Sequence, residues 1–173
     1  MKAILLIDHG SVRAEANHML ECVANLVQSM AGADVVVRFA HMELAEPSIA
    51  SGFASCVDAG ATEVVAFPYM LSPGKHSTRD IPRLVAEAAA AFPGVAYGVT
   101  KAFGVSQKLG EVILERAGVA PRDAAPARVD GSPCCMRPTG TPERYCGDGC
   151  REASAPGARR SALGATRSGT SSS

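Results

Sequence analysis

Two histidines stand at matching places in this chain. Each follows an apolar run and precedes a segment with helical spacing: His9 in ILLIDHGSVR and His76 in FPYMLSPGKHSTRDIP. If both runs are parallel strands of one sheet, both imidazoles reach the same edge, because ligand sites of open α/β sheets lie beyond the carboxyl ends of the strands. Two neutral imidazoles on one cleft form a device for handling a metal ion or protons. Glu43, after another apolar run, adds a carboxylate. Two His and one carboxylate offer Fe2+ or Co2+ three ligands with positions left open for exchange, and the same imidazoles can accept protons near neutral pH. Gly10 and Gly74 let a bulky ligand approach the backbone. Ser11, Arg13, Ser72, Lys75 and Arg79, with exposed amides at helix starts, suit carboxylate or phosphate groups.

Plainer readings stand beside these. A histidine at a strand end is commonly a hydrogen-bonded structural residue, and Glu43 and Glu46 both suit the start of the next helix. His18, on a helix, and His41, closing a strand, are read as non-catalytic. Asp8 either orients the ring of His9 or ends its strand.

Four strand-then-helix units must position these groups. The strand candidates are Lys2–Asp8, Asp34–His41, Glu63–Met70 and Val95–Thr100. Their continuous Val, Ile, Leu and Phe runs suit strands covered on both faces, hence a parallel sheet. The first helix would turn Ala16, Met19, Leu20, Val23, Val27 and Met30 inward. The second would begin at Glu46-Pro47, with proline in the first turn and Ile49, Ala50, Phe53 and Val57 inward. The third would use Ile81, Leu84, Val85, Ala88 and Phe92 behind a Thr78 or Asp80 cap, and the fourth Val105, Leu109, Val112 and Ile113. This alternation predicts a three-layer α/β domain over residues 1–120, a flavodoxin-like four-stranded parallel sheet with helices on both faces.

The 17 basic and 17 acidic residues point to neither nucleic acid nor an anionic membrane as a partner. No stretch approaches the roughly 20 apolar residues of a membrane span, and Asp8 and His9 interrupt the first apolar run, so a cytoplasmic protein is expected. A Gly-rich phosphate loop is missing, which weakens a nucleotide-binding reading. Residues 121–173 differ in kind. All 8 of their basic side chains are Arg, and they carry six prolines, seven glycines and few large apolar groups. They cannot bury enough surface to offset the entropy of ordering, so a largely disordered tail is expected.

The segments DHGSVRAEAN, ELAEPSIASGF, GATEVVAFPYMLSPGKHSTRDIPRLV and FPGVAYGVTKAFG resemble the small sirohydrochlorin chelatases, the CbiX/SirB type of class II tetrapyrrole chelatase, over roughly residues 1–117. The most specific part is His-Gly-Ser after the first strand paired with Leu-Ser-x-Gly-x-His-x-x-x-Asp-Ile-Pro after the third. The resemblance implies insertion of Fe2+ or Co2+ into sirohydrochlorin, toward sirohaem or cobalamin-type corrinoids. It makes His9 and His76 metal ligands and proton acceptors, with Glu43 as the acidic partner. Asp8 stands where relatives usually carry Gly and adds a negative charge beside His9. Larger chelatases of this class hold the macrocycle between two such lobes, so one lobe implies a symmetric homodimer with the cleft at or near its interface. The other functional class is a metallochaperone or tetrapyrrole carrier using the same His pair without turnover.

The remaining cysteines divide sharply. Cys22 and Cys56 sit alone in predicted helices, as buried thiols commonly do. Cys134, Cys135, Cys146 and Cys150 place four thiols within 17 residues. Some relatives carry a C-terminal iron–sulfur motif, which makes a cluster one reading. The absence of Cys-x-x-Cys pairs favours the other, a tail that holds no metal.

Overall fold

A computed structural model describes residues 1–122 of the chain. The expectations for the tail and for Cys134, Cys135, Cys146 and Cys150 lie outside the described residues. Four strands, β1 (Lys2–Asp8), β2 (Val35–His41), β3 (Glu63–Pro68) and β4 (Ala96–Val99), alternate with helices α1 (Ala14–Ala31), α2 (Ile49–Asp58), α3 (Ile81–Ala89) and α4 (Gln107–Arg116). The strands form one sheet in the order β2-β1-β3-β4, and every pairing is parallel. The three-layer α/β class read from the sequence is the class observed.

Alternation along each strand divides two cores. Ala3, Leu5 and Ile7 of β1 join Ala40, Val64 and Ala66 on one face, under Ile49, Phe53 and Cys56 of α2 and Ile81 and Val85 of α3. Leu6 and Val37 point the other way, against Leu20 and Ala24 of α1. Gly52 lets α2 pack close against the sheet. A Cβ there would stand 2.9 Å from both Ala40 Cβ and Leu5 Cδ1, so the small residue sets the layer spacing.

The sheet reverses its winding at β1. The chain steps outward to β2, then returns past β1 to β3. This topological switch leaves a crevice beyond the carboxyl ends of β1 and β3, where ligands bind in such sheets. The loops carrying His9 and His76 leave from those two strand ends.

Several local expectations need correction. Met19 and Met30 of α1 are 66% and 77% exposed, and the buried stripe runs through Leu20 and Ala24, because the helix carries a wider apolar arc than the sheet covers. Pro47 lies outside α2: its carbonyl accepts from the His41 N–H at 2.8 Å, holding this turn on the sheet, and Ser48 caps the helix instead, its side chain accepting from the Ser51 N–H. Asp80 holds the position before α3, but neither its side chain nor that of Thr78 makes a capping hydrogen bond. A five-residue π-helical turn, His76–Asp80, runs straight into α3. None of the apolar side chains of α4 is buried, and Ile113 is 68% exposed.

Candidate functional site

The switch crevice brings the two predicted histidines together. The rings of His9 and His76 lie edge to face, with centroids 5.3 Å apart and planes at 71°. Both are about half exposed at the rim. Glu43 joins them from the β2–α2 loop, with its Oε2 3.9 Å from His9 Nε2. Residues 67 positions apart in sequence thus meet because β1 and β3 are hydrogen-bonded neighbours ending at the same level, Ile7 beside Pro68.

Each imidazole turns the same nitrogen toward the protein. His9 Nδ1 donates to the Gly10 carbonyl at 3.3 Å. His76 Nδ1 donates to Asp80 Oδ2 at 3.1 Å. In both rings this leaves Nε2 as the lone-pair nitrogen offered to a cation or a proton, the arrangement by which outer partners set a metal-binding tautomer. Asp80 is itself held in place. Desolvation opposes its ionisation, but the hydrogen bond and charge of Arg79, with the charge of Lys75 and the bond from His76, prevail and hold the carboxyl below its ordinary range. The π-helical turn creates this geometry by placing His76 and Asp80 on the same side of one wide turn.

Beneath His9 the β1–α1 and β2–α2 loops are joined. The Glu43 N–H donates to the His9 carbonyl at 3.1 Å, and the Met42 N–H to the Asp8 carbonyl at 2.9 Å. Gly10, at φ +80°, crosses so near Glu43 that a Cβ would overlap the Glu43 carbonyl oxygen. The Asp8 carboxylate does not orient the ring of His9: it accepts from the Gly10 N–H at 2.9 Å and from His41 Nδ1 at 2.6 Å.

The other predicted residues take varied places around the rim. Ser11 closes the first loop with Asn17: its N–H donates to Asn17 Oδ1 at 2.8 Å, and its own hydroxyl accepts from the Arg13 N–H. Arg13 stands exposed at the start of α1, and Ser72 and Lys75 are exposed in the second loop. Gly74 is tied to Ser77 and Thr78 of the π-helical turn. Arg79 turns its Nε to Asp80 at 3.3 Å, so it acts on the partner of His76. A recess of about 410 Å³ beside this turn is lined by Ser77, Thr78, Thr100 and Lys101 with Pro82, Val99 and Ala102. The sequence marked neither Asn17 nor Asp80 as part of the site. The i,i+4 spacing of His76 and Asp80 was a usable signal for the latter, whereas nothing local marks Asn17.

Among the described residues no group of three or more His, Cys, Asp or Glu side chains stands as a ready-made metal shell. Glu43 stands 3.9 Å from His9, and the two rings face each other at an open rim.

Fold and site together define a doubly wound α/β protein with an imidazole pair at its topological switch point. The chain belongs to the CbiX family, which matches residues 3–120. It is 44% identical over 113 residues to the chloroplastic sirohydrochlorin ferrochelatase of Arabidopsis thaliana, covering 65% of this chain and 50% of that protein. The sirohydrochlorin chelatase SirB from Bacillus subtilis subspecies spizizenii, crystallised in complex with cobalt, superposes with a TM-score of 0.62 at 29% identity, over 68% of this chain and 50% of SirB. The CbiX protein from Marinobacter aquaeolei VT8 gives a TM-score of 0.57 at 25% identity, over 68% of this chain and 95% of its own length. The chain spans about half the length of the first curated relatives it matches. The plant relative is chloroplastic, so membership of the family does not fix a compartment. No helix among the described residues is long and apolar enough to cross a membrane.

Proposed function

We propose that this protein inserts Fe2+ or Co2+ into sirohydrochlorin, with His9 and His76 receiving the metal and accepting the two pyrrole protons, and Glu43 as their acidic partner. The observation that carries this reading is the pair of rings 5.3 Å apart at an open rim, each with Nδ1 engaged and Nε2 available. Insertion must strip water from the cation, remove two N–H protons and deliver the ion to four ring nitrogens. An open two-imidazole, one-carboxylate rim serves each need. It replaces part of the hydration shell, keeps exchange positions vacant, and supplies bases to take up the two protons. A closed shell would hold the cation too tightly to release it.

The macrocycle's carboxylates suit the hydroxyls and cations of the rim, Ser11, Arg13, Ser72, Lys75 and Arg79, the backbone at Gly74, and the recess lined by Thr78, Thr100 and Lys101. A planar ligand of that size needs a second wall. Relatives about twice as long as this lobe support a symmetric homodimer as the source of that wall. A cytoplasmic location belongs to the same reading, and cell fractionation checks it.

Anaerobic incubation of substoichiometric protein with sirohydrochlorin and each metal in turn tests the function. Multiple turnovers, seen as progressive loss of the metal-free absorption, are expected. Loss limited to one equivalent per protein would instead identify a metallochaperone or tetrapyrrole carrier.

A further inference from the structure

Asp8 and His41 face each other across the ends of β1 and β2, directly paired in the parallel register. His41 is on the same side of β2 as Val37 and Phe39, and its ring meets Phe39 edge to face at 5.8 Å. The side chain is 1% exposed, and Nδ1 donates to Asp8 Oδ1 at 2.6 Å. Its Nε2 is buried without a hydrogen-bond partner among the described residues. As core packing this is a poor choice. A phenylalanine would fill similar space with no nitrogen to desolvate, since an unpaired buried polar atom forfeits its hydration with nothing in return.

What His41 provides is its bond to Asp8. Asp8 Oδ1 also accepts the Gly10 N–H, on the residue directly after His9. Above this point the His9 and Glu43 loops are joined through Glu43 N–H to the His9 carbonyl, and Gly10 leaves no room for a Cβ against Glu43. His41, Asp8 and Gly10 therefore form one line from the sheet end to the loop that presents His9.

We infer that Asp8 and His41 are positioning residues that fix His9 against Glu43 and so set how strongly the rim holds its divalent cation. Neither side chain touches the cation. The inference rests on the proposed function only in treating the cation as cargo.

The test uses the full chain and Co2+ alone, titrated calorimetrically, beside the insertion kinetics and the exchange protection of the Gly10 amide. His41→Phe removes the bond to Asp8 while filling the site. His41→Asn restores a donor near the place of Nδ1. Asp8→Ala attacks the line from the other end. In His41→Phe the thermal midpoint should hold, while the Co2+ Kd and the KM for metal each rise up to about tenfold, the low end of the range for lost outer-shell partners, because the line reaches His9 only through the Gly10 backbone. The KM for the tetrapyrrole should stay level and Gly10 protection should fall. His41→Asn should recover most of both effects, and Asp8→Ala should match His41→Phe. Wild-type Co2+ affinity and Gly10 protection in His41→Phe, or His41→Asn no better than His41→Phe, overturns the inference. If His41→Phe does not fold, Asp8→Ala against His41→Asn decides by the same readouts. If the wild type inserts no metal, the proposed function fails alone, and the Co2+ and Gly10 measurements still decide this point.

Discussion

Replacing Gly10 with alanine tests whether backbone crowding between two loops builds the rim. Two costs add. Gly10 sits at φ +80°, where an L side chain pays about 1–2 kcal/mol. The new Cβ would also overlap the Glu43 carbonyl oxygen, and that oxygen cannot swing aside, because it already accepts from the Ala45 N–H at 2.8 Å. The loops must part, at roughly 1–3 kcal/mol for overpacking and about 1 kcal/mol for the weakened bond from Glu43 N–H to the His9 carbonyl. The sum is about 3–6 kcal/mol, or at about 4 °C per kcal/mol a fall of roughly 12–24 °C in Tm for a domain of this size. Gly118→Ala isolates the backbone part, because Gly118 also has positive φ, +67°, but a Cβ there would meet nothing within 4 Å. It should lose only about 1–2 kcal/mol, roughly 4–8 °C. Thermal unfolding by circular dichroism compares the two, and insertion rates measured below both midpoints report the rim. Gly10→Ala should lose activity out of proportion to unfolding, because His9 and Glu43 are pushed apart. Equal midpoints for the two variants, or a wild-type rate in folded Gly10→Ala, would refute the crowding argument.

Other outcomes follow from single contacts. His9→Ala and His76→Ala should each abolish insertion while leaving the far-ultraviolet spectrum unchanged, and a wild-type rate in either removes that residue from the reaction. Asp80→Ala should raise the KM for metal about 10- to 100-fold, the range for partners that orient a ligating imidazole, whereas an unchanged KM would mean His76 needs no such support. Burial pushes the Cys56 thiol up to about 11, against the opposing charge of Arg38, so peptide-mapped alkylation should mark the exposed Cys22 in the native protein and Cys56 only after unfolding. Because the unfolded thiol ionises first, the stability this burial supports is complete below about pH 9 and is lost as pH rises toward 11; Cys56→Ala should flatten that alkaline decline in Tm. Removing residues 121–173 should leave folding and insertion rates intact, and an unfolded truncation would place the domain boundary elsewhere.

Much of the architecture can be read along the chain because its signals are local. Runs such as AILLI and VVAF have no polar face to show water, so they become strands covered on both sides. Alternating such runs with helical spacing leaves little but a parallel sheet. That topology sends the loops after β1 and β3 to one edge, so His9 and His76 can be paired from the order of elements alone. The tilt of α1 about its own axis was not readable, because its apolar arc is wider than the face it buries, and Met19 and Met30 look no different in sequence from residues that turn inward. The link between Asp8 and His41 depends on strand register, which long-range packing sets and no short segment encodes. The role of Asp80 follows from its i,i+4 spacing to His76 once that segment is a helical turn, whereas a cap would have sent its carboxylate to backbone amides. Local patterning chooses the elements and the end of the sheet where chemistry gathers, because hydrogen bonding and periodicity act over a few residues. Which loops meet at the rim, Glu43 against His9 and His41 against Asp8, is settled by contacts between distant segments, which exist only once the layers have closed.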